Sequence, residues 1–152
     1  MEIRTFEDLI DWARQLHGHL SRSLDECSGR NENERASALL HYLSEHEAEL
    51  ERITAEFERQ ADPKALKTRL YDFVRHHAFQ TDRKTDAHYA TLGFDDIARE
   101  IFAFHDELIA LYESLVRKAE IPEVAELMAS LLAMETNEYM RLARQVLSMD
   151  DV

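Results

Sequence analysis

Three glycines and two prolines in 152 residues leave this chain very few places to reverse direction. Tight turns draw on those two residue types. An all-β fold needs a turn roughly every ten residues, so it is excluded here. The remaining solution is long helices with few, well-marked breaks. Composition agrees: hydrophobic residues make up 45% and charged residues 32%, and much of that is Leu, Ala, Glu and Arg, all strong helix formers. The length suits a single domain spanning 1–152.

Charge narrows the partners. Eighteen Lys and Arg against 31 Asp and Glu give a formal net charge of −13. A surface that acidic repels phosphate backbones and anionic lipid, so neither nucleic acid nor a membrane is an expected partner. The longest apolar runs, such as Met128 to Ala133, are too short to span a bilayer. The N-terminal stretch has acids at Glu2, Glu7 and Asp8 and no apolar h-region, which predicts no signal peptide. Cys27 is a single cysteine without an internal disulfide partner, at a helix C-terminus, where the dipole raises a thiol pKa; it reads as inert packing. These features together predict a cytoplasmic protein.

The breaks place the helices. Thr5 followed by Glu7 and Asp8 reads as an N-cap with acids in the first turn. Ser28 to Asn31 is a break, Asp62-Pro63 a cap with proline at the first helical position, Asp95-Asp96 a new start, and Ile121-Pro122-Glu123 the last restart. Helices are therefore expected at 5–28, 32–60, 95–119 and 122–149, with a shorter one at 63–79. The first two and the last two are joined by short loops, so each pair should form an antiparallel hairpin. Residues 61–94 are long enough to run the whole bundle. Two hairpins joined by one long crossover is the ferritin-like connectivity. The crossover is mildly basic, with Lys64, Lys67, Arg69, Arg75, Arg83 and Lys84 against four aspartates, and it holds His76, His77 and His88. It reads as a surface helix packing Leu66, Leu70, Phe73 and Val74 inward, or as a docking strip for an acidic partner or a second subunit.

Helical wheels expose polar residues among apolar ones. His17 sits at the edge of the first arc, Phe6, Leu9, Ala13, Leu16, Leu20 and Leu24. In the second, His46 falls near the centre of Leu39, Leu43, Leu50, Ile53 and Phe57, with Glu49 on the flank. In the helix at 95–119, His105 leans inward beside Phe104 and Leu108. In the last, Glu135 falls mid-arc between Leu131 and Leu142, with Glu138 on the flank. A lone buried carboxylate costs several kcal/mol unless it is protonated, paired or bound to a metal. Glu135 is expected to meet His46 across the interior at mid-depth. Two readings follow. One is a buried Glu135–His46 pair within a hydrogen-bond network. The other is a metal site of His46, Glu49, His105, Glu135 and Glu138, a carboxylate–imidazole set suited to iron, manganese or zinc. His46/Glu49 and Glu135/Glu138 are both i, i+3 pairs, which can point at one ion.

The stretch AREIFAFHDELIALYESLVRKAEIPEVAELMASLLAMETNEYMRLARQ, with its Leu108-x-x-Leu111-Tyr112 step and PEVAEL restart, resembles the rubrerythrin-type ferritin-like family; ALLHYLSEHEAEL is a weaker echo. The resemblance implies four helices that each supply a carboxylate, two of them as Glu-x-x-His, around two iron ions. Here His105 stands at one glutamate position, Glu135-x-x-Glu138 replaces one Glu-x-x-His, and the helix at 32–60 offers His46-x-x-Glu49. No Cys₄ segment accompanies them. The resemblance thus implies a lapsed or altered metal site. Hemerythrin is a rival resemblance through His41-x-x-x-Glu45, which faces away from its apolar arc.

The expected function is accordingly a ferritin-like bundle of unassigned activity acting as a structural or interaction protein. The alternative is an iron- or manganese-binding oxidoreductase or metal-handling protein. Trp12 and Tyr42, at the margins of their arcs, predict a homodimer.

Overall fold

The computed structural model describes residues 2–70 and 87–150. Helix α1 spans Phe6–Arg30, α2 Glu34–Gln60, α3 Pro63–Lys67, α4 Phe94–Lys118 and α5 Pro122–Asp150, with a 3₁₀ turn at His88–Thr91 before α4. Three of the starts have a side-chain cap. Thr5 accepts from the Asp8 amide while the Asp8 carboxylate accepts from the Thr5 amide, a reciprocal cap. Asn33 caps α2 through the Ala36 amide, and Asp62 caps α3 with Pro63 as its first residue. Helix α1 runs on through Ser28-Gly29-Arg30, slightly beyond the break expected there, and ends at Asn31.

The hairpins form as expected. Helix α1 packs chiefly on α2, and α4 on α5. Ser21 meets Ser44 and His17 meets Glu47, so α2 runs antiparallel to α1. The two hairpins bury Leu9, Ile10, Leu24, Leu39, Leu40, Ile97, Ile101, Leu108, Leu111, Met128 and Leu131 in one core. The architecture is all-α, with no strand among the described residues beyond an isolated bridge between Thr5 and Arg69.

The crossover departs from its expected helix. Helix α3 stops at Lys67; Thr68 turns out of it with its hydroxyl on the Lys64 carbonyl. Residues 68–70 then lie extended along the chain start, the Phe6 amide donating to the Thr68 carbonyl (3.2 Å) and the Leu70 amide to that of Arg4 (2.8 Å). A tertiary ladder has outcompeted the local helical pattern. The remainder of the expected helix, with Phe73, Val74, His76 and His77, lies outside the described residues. At the far end of the crossover, Asn31 donates to the carbonyls of Tyr89 and Leu92, and His88 pairs with Glu100 on α4. No described helix is long and apolar enough to cross a membrane.

Candidate functional site

Halfway along the bundle the apolar layers give way to a polar slice to which each long helix contributes one side chain: His17 from α1, Glu47 from α2, His105 from α4 and Glu135 from α5. All four are buried, none more than 1% exposed. They form a line. The His17 Nε2–H donates to Glu135 Oε1 (2.8 Å) and its Nδ1–H to Glu47 Oε2 (2.8 Å); the His105 Nε2–H donates to Glu47 Oε1 (2.9 Å). Carboxylates only accept, so every ring nitrogen that faces one carries a hydrogen. His17 is therefore an imidazolium between two carboxylates, and Glu47 a carboxylate between two imidazoles.

The electrostatics follow. Burial alone pulls the His17 imidazole down, but the charges of Glu135 and Glu47 and the hydrogen bonds to both outweigh it, and its pKa is pushed up to about 10. Burial likewise favours a protonated Glu47, yet the charges and hydrogen bonds of His105 and His17 hold its carboxyl well below the usual carboxylate range. Burial pushes the Tyr112 phenol up, and the Glu135 charge adds to this.

Close helix approach makes the line reachable. Ser21 and Ser44 each donate to the other's carbonyl at 2.8 Å, fastening α1 to α2. One turn away sits Gly18, where an added Cβ would fall 2.1 Å from the Glu51 carboxylate. The His17–Glu47 hydrogen bond lies beside this paired-serine seam between α1 and α2.

Two of the five expected site residues, His105 and Glu135, lie in the slice. Three do not. The partner of Glu135 is His17, where His46 was expected. His46 is half-buried on the flank of α2, and burial pushes its imidazole down. Glu49 is exposed and paired with Arg52. The Glu138 side chain, only 12% exposed, bonds Arg141. The correction for α2 is a partial rotation: Leu39, Leu43 and Leu50 are buried as expected, while Glu47 and Thr54 take the inward places expected for His46 and Ile53. Its buried stripe is Ala36, Leu39, Leu40, Leu43, Ser44, Glu47, Leu50 and Thr54, and Ile53 and Phe57 are half-buried. An arc drawn through apolar residues alone missed Ser44, Glu47 and Thr54. The available signal was a pair of polar residues one turn apart on each helix, His17 and Ser21 on α1 and Ser44 and Glu47 on α2.

Metal ligands aim their lone pairs at one point. In the slice His17 commits both ring nitrogens to carboxylates on opposite edges of the ring, and Glu47 commits each oxygen to a different imidazole. Among the described residues no three His, Cys, Asp or Glu side chains converge as a metal's ligands must. Two carboxylates are available instead of four, and the residues three after Glu47 and Glu135 are Leu50 and Glu138, not histidines. The slice does not fit a di-iron centre. Four buried polar atoms at its edges have no hydrogen-bond partner: Tyr112 Oη, Glu135 Oε2, His105 Nδ1 and His46 Nε2.

No family model matches the chain, and no curated protein matches it. Among solved structures, a protein of Thermotoga maritima described as a ferritin-like diiron-carboxylate protein is similar in fold. Its TM-score is 0.57 at 14% sequence identity, over 96% of this chain and 97% of that one. The fold of this chain is ferritin-like.

Proposed function

We propose that this chain is a ferritin-like bundle in which a closed His–Glu ion chain has taken the place of a di-iron centre, and that it works as a structural or interaction protein, as a homodimer. The name of the Thermotoga protein supports an ancestral di-iron site, and the helix 95–149 pattern supports a rubrerythrin-type origin. One observation carries the reading: His17 joins Glu47 and Glu135, residues of opposite hairpins, through both of its nitrogens. Four helices that two iron ions would tie are tied here by one imidazolium and its neighbours. The reading makes metal dispensable for folding. Protein purified without chelator is expected to hold less than one iron or manganese per two chains, and its melting temperature is expected to be unmoved by chelator or by added Fe(II) or Mn(II). A metal-dependent stabilisation that follows the iron concentration sinks it. The dimer is supported by Met140 and Leu147, exposed at 55% and 65% and seven residues apart on α5; a monomeric mass by light scattering at high micromolar concentration removes it.

A second reading, binding of a single divalent metal at the margin of the slice, is favoured by a separate observation. His46 Nε2 and His105 Nδ1 are buried nitrogens without partners.

A further inference from the structure

One face of α5 departs from the rest of the surface. At about 100° per residue, Ala129, Ala133, Asn137, Met140, Arg144 and Leu147 fall within roughly 80° of one another. They lie opposite the buried stripe of Val124, Met128, Leu131, Leu142 and Val146. All six are exposed, and Met140 and Leu147 are the large apolar residues most open to solvent among those described. Between Ala129 and Ser148 no acid is exposed: Glu135 is buried, and Glu138 is largely covered and bonded to Arg141. The other long helices do expose acids, Asp25 and Glu26 on α1, Glu45 and Glu49 on α2, Asp106 and Glu107 on α4. On a chain of net charge −13, most ways of pairing two copies bring like charges together. The α5 face is the long strip where a second copy meets least repulsion, and its Arg144 presents a positive charge to a strongly acidic molecule.

Side-chain size along the strip is graded. Its first half carries Ala129 and Ala133, its second half Met140 and Leu147. Against a second α5 running the opposite way, a two-fold axis at Met140 sets Leu147 over Ala133 of the second copy and Arg144 beside its Asn137. Large side chains then fall on small ones, which lets two helices approach closely. Parallel pairing would stack Leu147 on Leu147 and leave Ala133 facing Ala133 across a gap. We propose that the occupant of this face is a second copy of the chain, packed α5 against antiparallel α5 about a two-fold axis at Met140. This rests on the homodimer reading above and names its surface and symmetry. The interface is isologous, so it closes at two copies and builds no filament.

Cysteine cross-linking of the full chain, read with light scattering, tests this. The natural Cys27 is fully buried, so cysteines placed on the strip report alone. Met140→Cys is expected to give a disulfide-linked dimer under mild oxidation, because the axis sets residue 140 opposite itself. Leu147→Cys alone is expected to stay unlinked, since antiparallel pairing holds the two copies of residue 147 about 21 Å apart along the helices. A mixture of Leu147→Cys and Ala133→Cys proteins is expected to form the mixed dimer. Met140→Glu sets two acids against each other on the axis. It should weaken self-association at least about 100-fold while leaving the helical content of the chain unchanged, as its side chain is exposed. A dimer that resists Met140→Glu and gives no Met140→Cys link overturns this proposal and leaves the homodimer standing on another surface. Self-linking of Leu147→Cys would mean parallel pairing and overturns it as well. An unmutated protein that is monomeric at high micromolar concentration overturns both the proposal and the homodimer.

Discussion

The apolar layers of the bundle and the polar slice between them are built on the same four helices, at equivalent buried positions, yet they hold the fold in different ways. In the layers, Leu9, Leu39, Leu108 and Leu131 are each fully buried. Their contributions are many weak contacts, roughly additive and indifferent to partner identity. In the slice, each group is tolerable only because of its neighbours. Glu47 without His17 and His105 is a bare buried charge, and His17 without its carboxylates is a buried cation. Apolar layers supply stability; a linked buried ion chain supplies little net stability but punishes every wrong pairing. The slice is therefore expected to act on which helices pair and in what register.

The sharpest way to break this contrast is to remove the shared acceptor. Glu47→Ala strands two imidazoles at once and is expected to cost about 3–5 kcal/mol in urea unfolding, against about 2–5 kcal/mol for Leu108→Ala in the adjacent layer. A Glu47→Ala cost below 1 kcal/mol would mean that the chain is not closed. Next in size is the reverse experiment. Replacing all four members together, His17, Glu47, His105 and Glu135, by leucine is expected to be neutral or stabilising by about 1–4 kcal/mol. Such a protein should fold but lose the specificity of a single native packing, visible as broadened amide spectra. Four separate losses that simply add would show that the residues do not act as a unit.

A smaller effect is expected from pH. His17 is raised from 6.5 to about 10 in the folded state, so its contribution is complete below about pH 6.5 and is lost as pH rises toward 10. The Glu47 carboxyl is lowered from its ordinary 4.5, so its contribution is complete above that value and is lost as pH falls. Urea midpoints of the unmutated protein minus those of the four-leucine protein, taken from pH 3 to 10, should plateau between about pH 4.5 and 6.5 and decline on both sides. A flat difference profile would remove the imidazolium from the picture. The smallest change is expected at Glu49→Ala, within about 0.5 kcal/mol, because its salt bridge to Arg52 is exposed; a thermal melt suffices to check it.

How much of this was legible in advance varies residue by residue. Glu135 was identifiable as buried because the five apolar residues of its arc, Val124, Met128, Leu131, Leu142 and Val146, left no other face for it. Its partner was not. His17 lies next to Leu16, at a spacing that serves Ala13, Leu20 and Leu24 equally well, and its burial against Glu47 and Glu135 is set by the packed bundle. Glu47 was hidden by its own charge: scoring apolar residues drew the α2 arc through Ile53 and Phe57 and put His46 in its place. Helix α3 was overestimated for the opposite reason, since the local pattern favoured helix beyond Lys67 while pairing with the chain start stopped it at Thr68.

The sequence by itself determined the four long helices, the caps at Thr5 and Asp62 and the two hairpins, because scarcity of glycine and proline, capping residues and 3.6-residue periodicity act locally along the chain. It also determined that charge would be buried mid-bundle, since Glu135 has no polar face to escape to. Only the tertiary structure decided which charges meet. A hydrogen bond of 2.8 Å between α1 and α5 depends on helix rotation to within a fraction of a residue, and that rotation is the joint result of all four helices packing at once. Residue spacing in one helix carries no information about the azimuth of the helix opposite it.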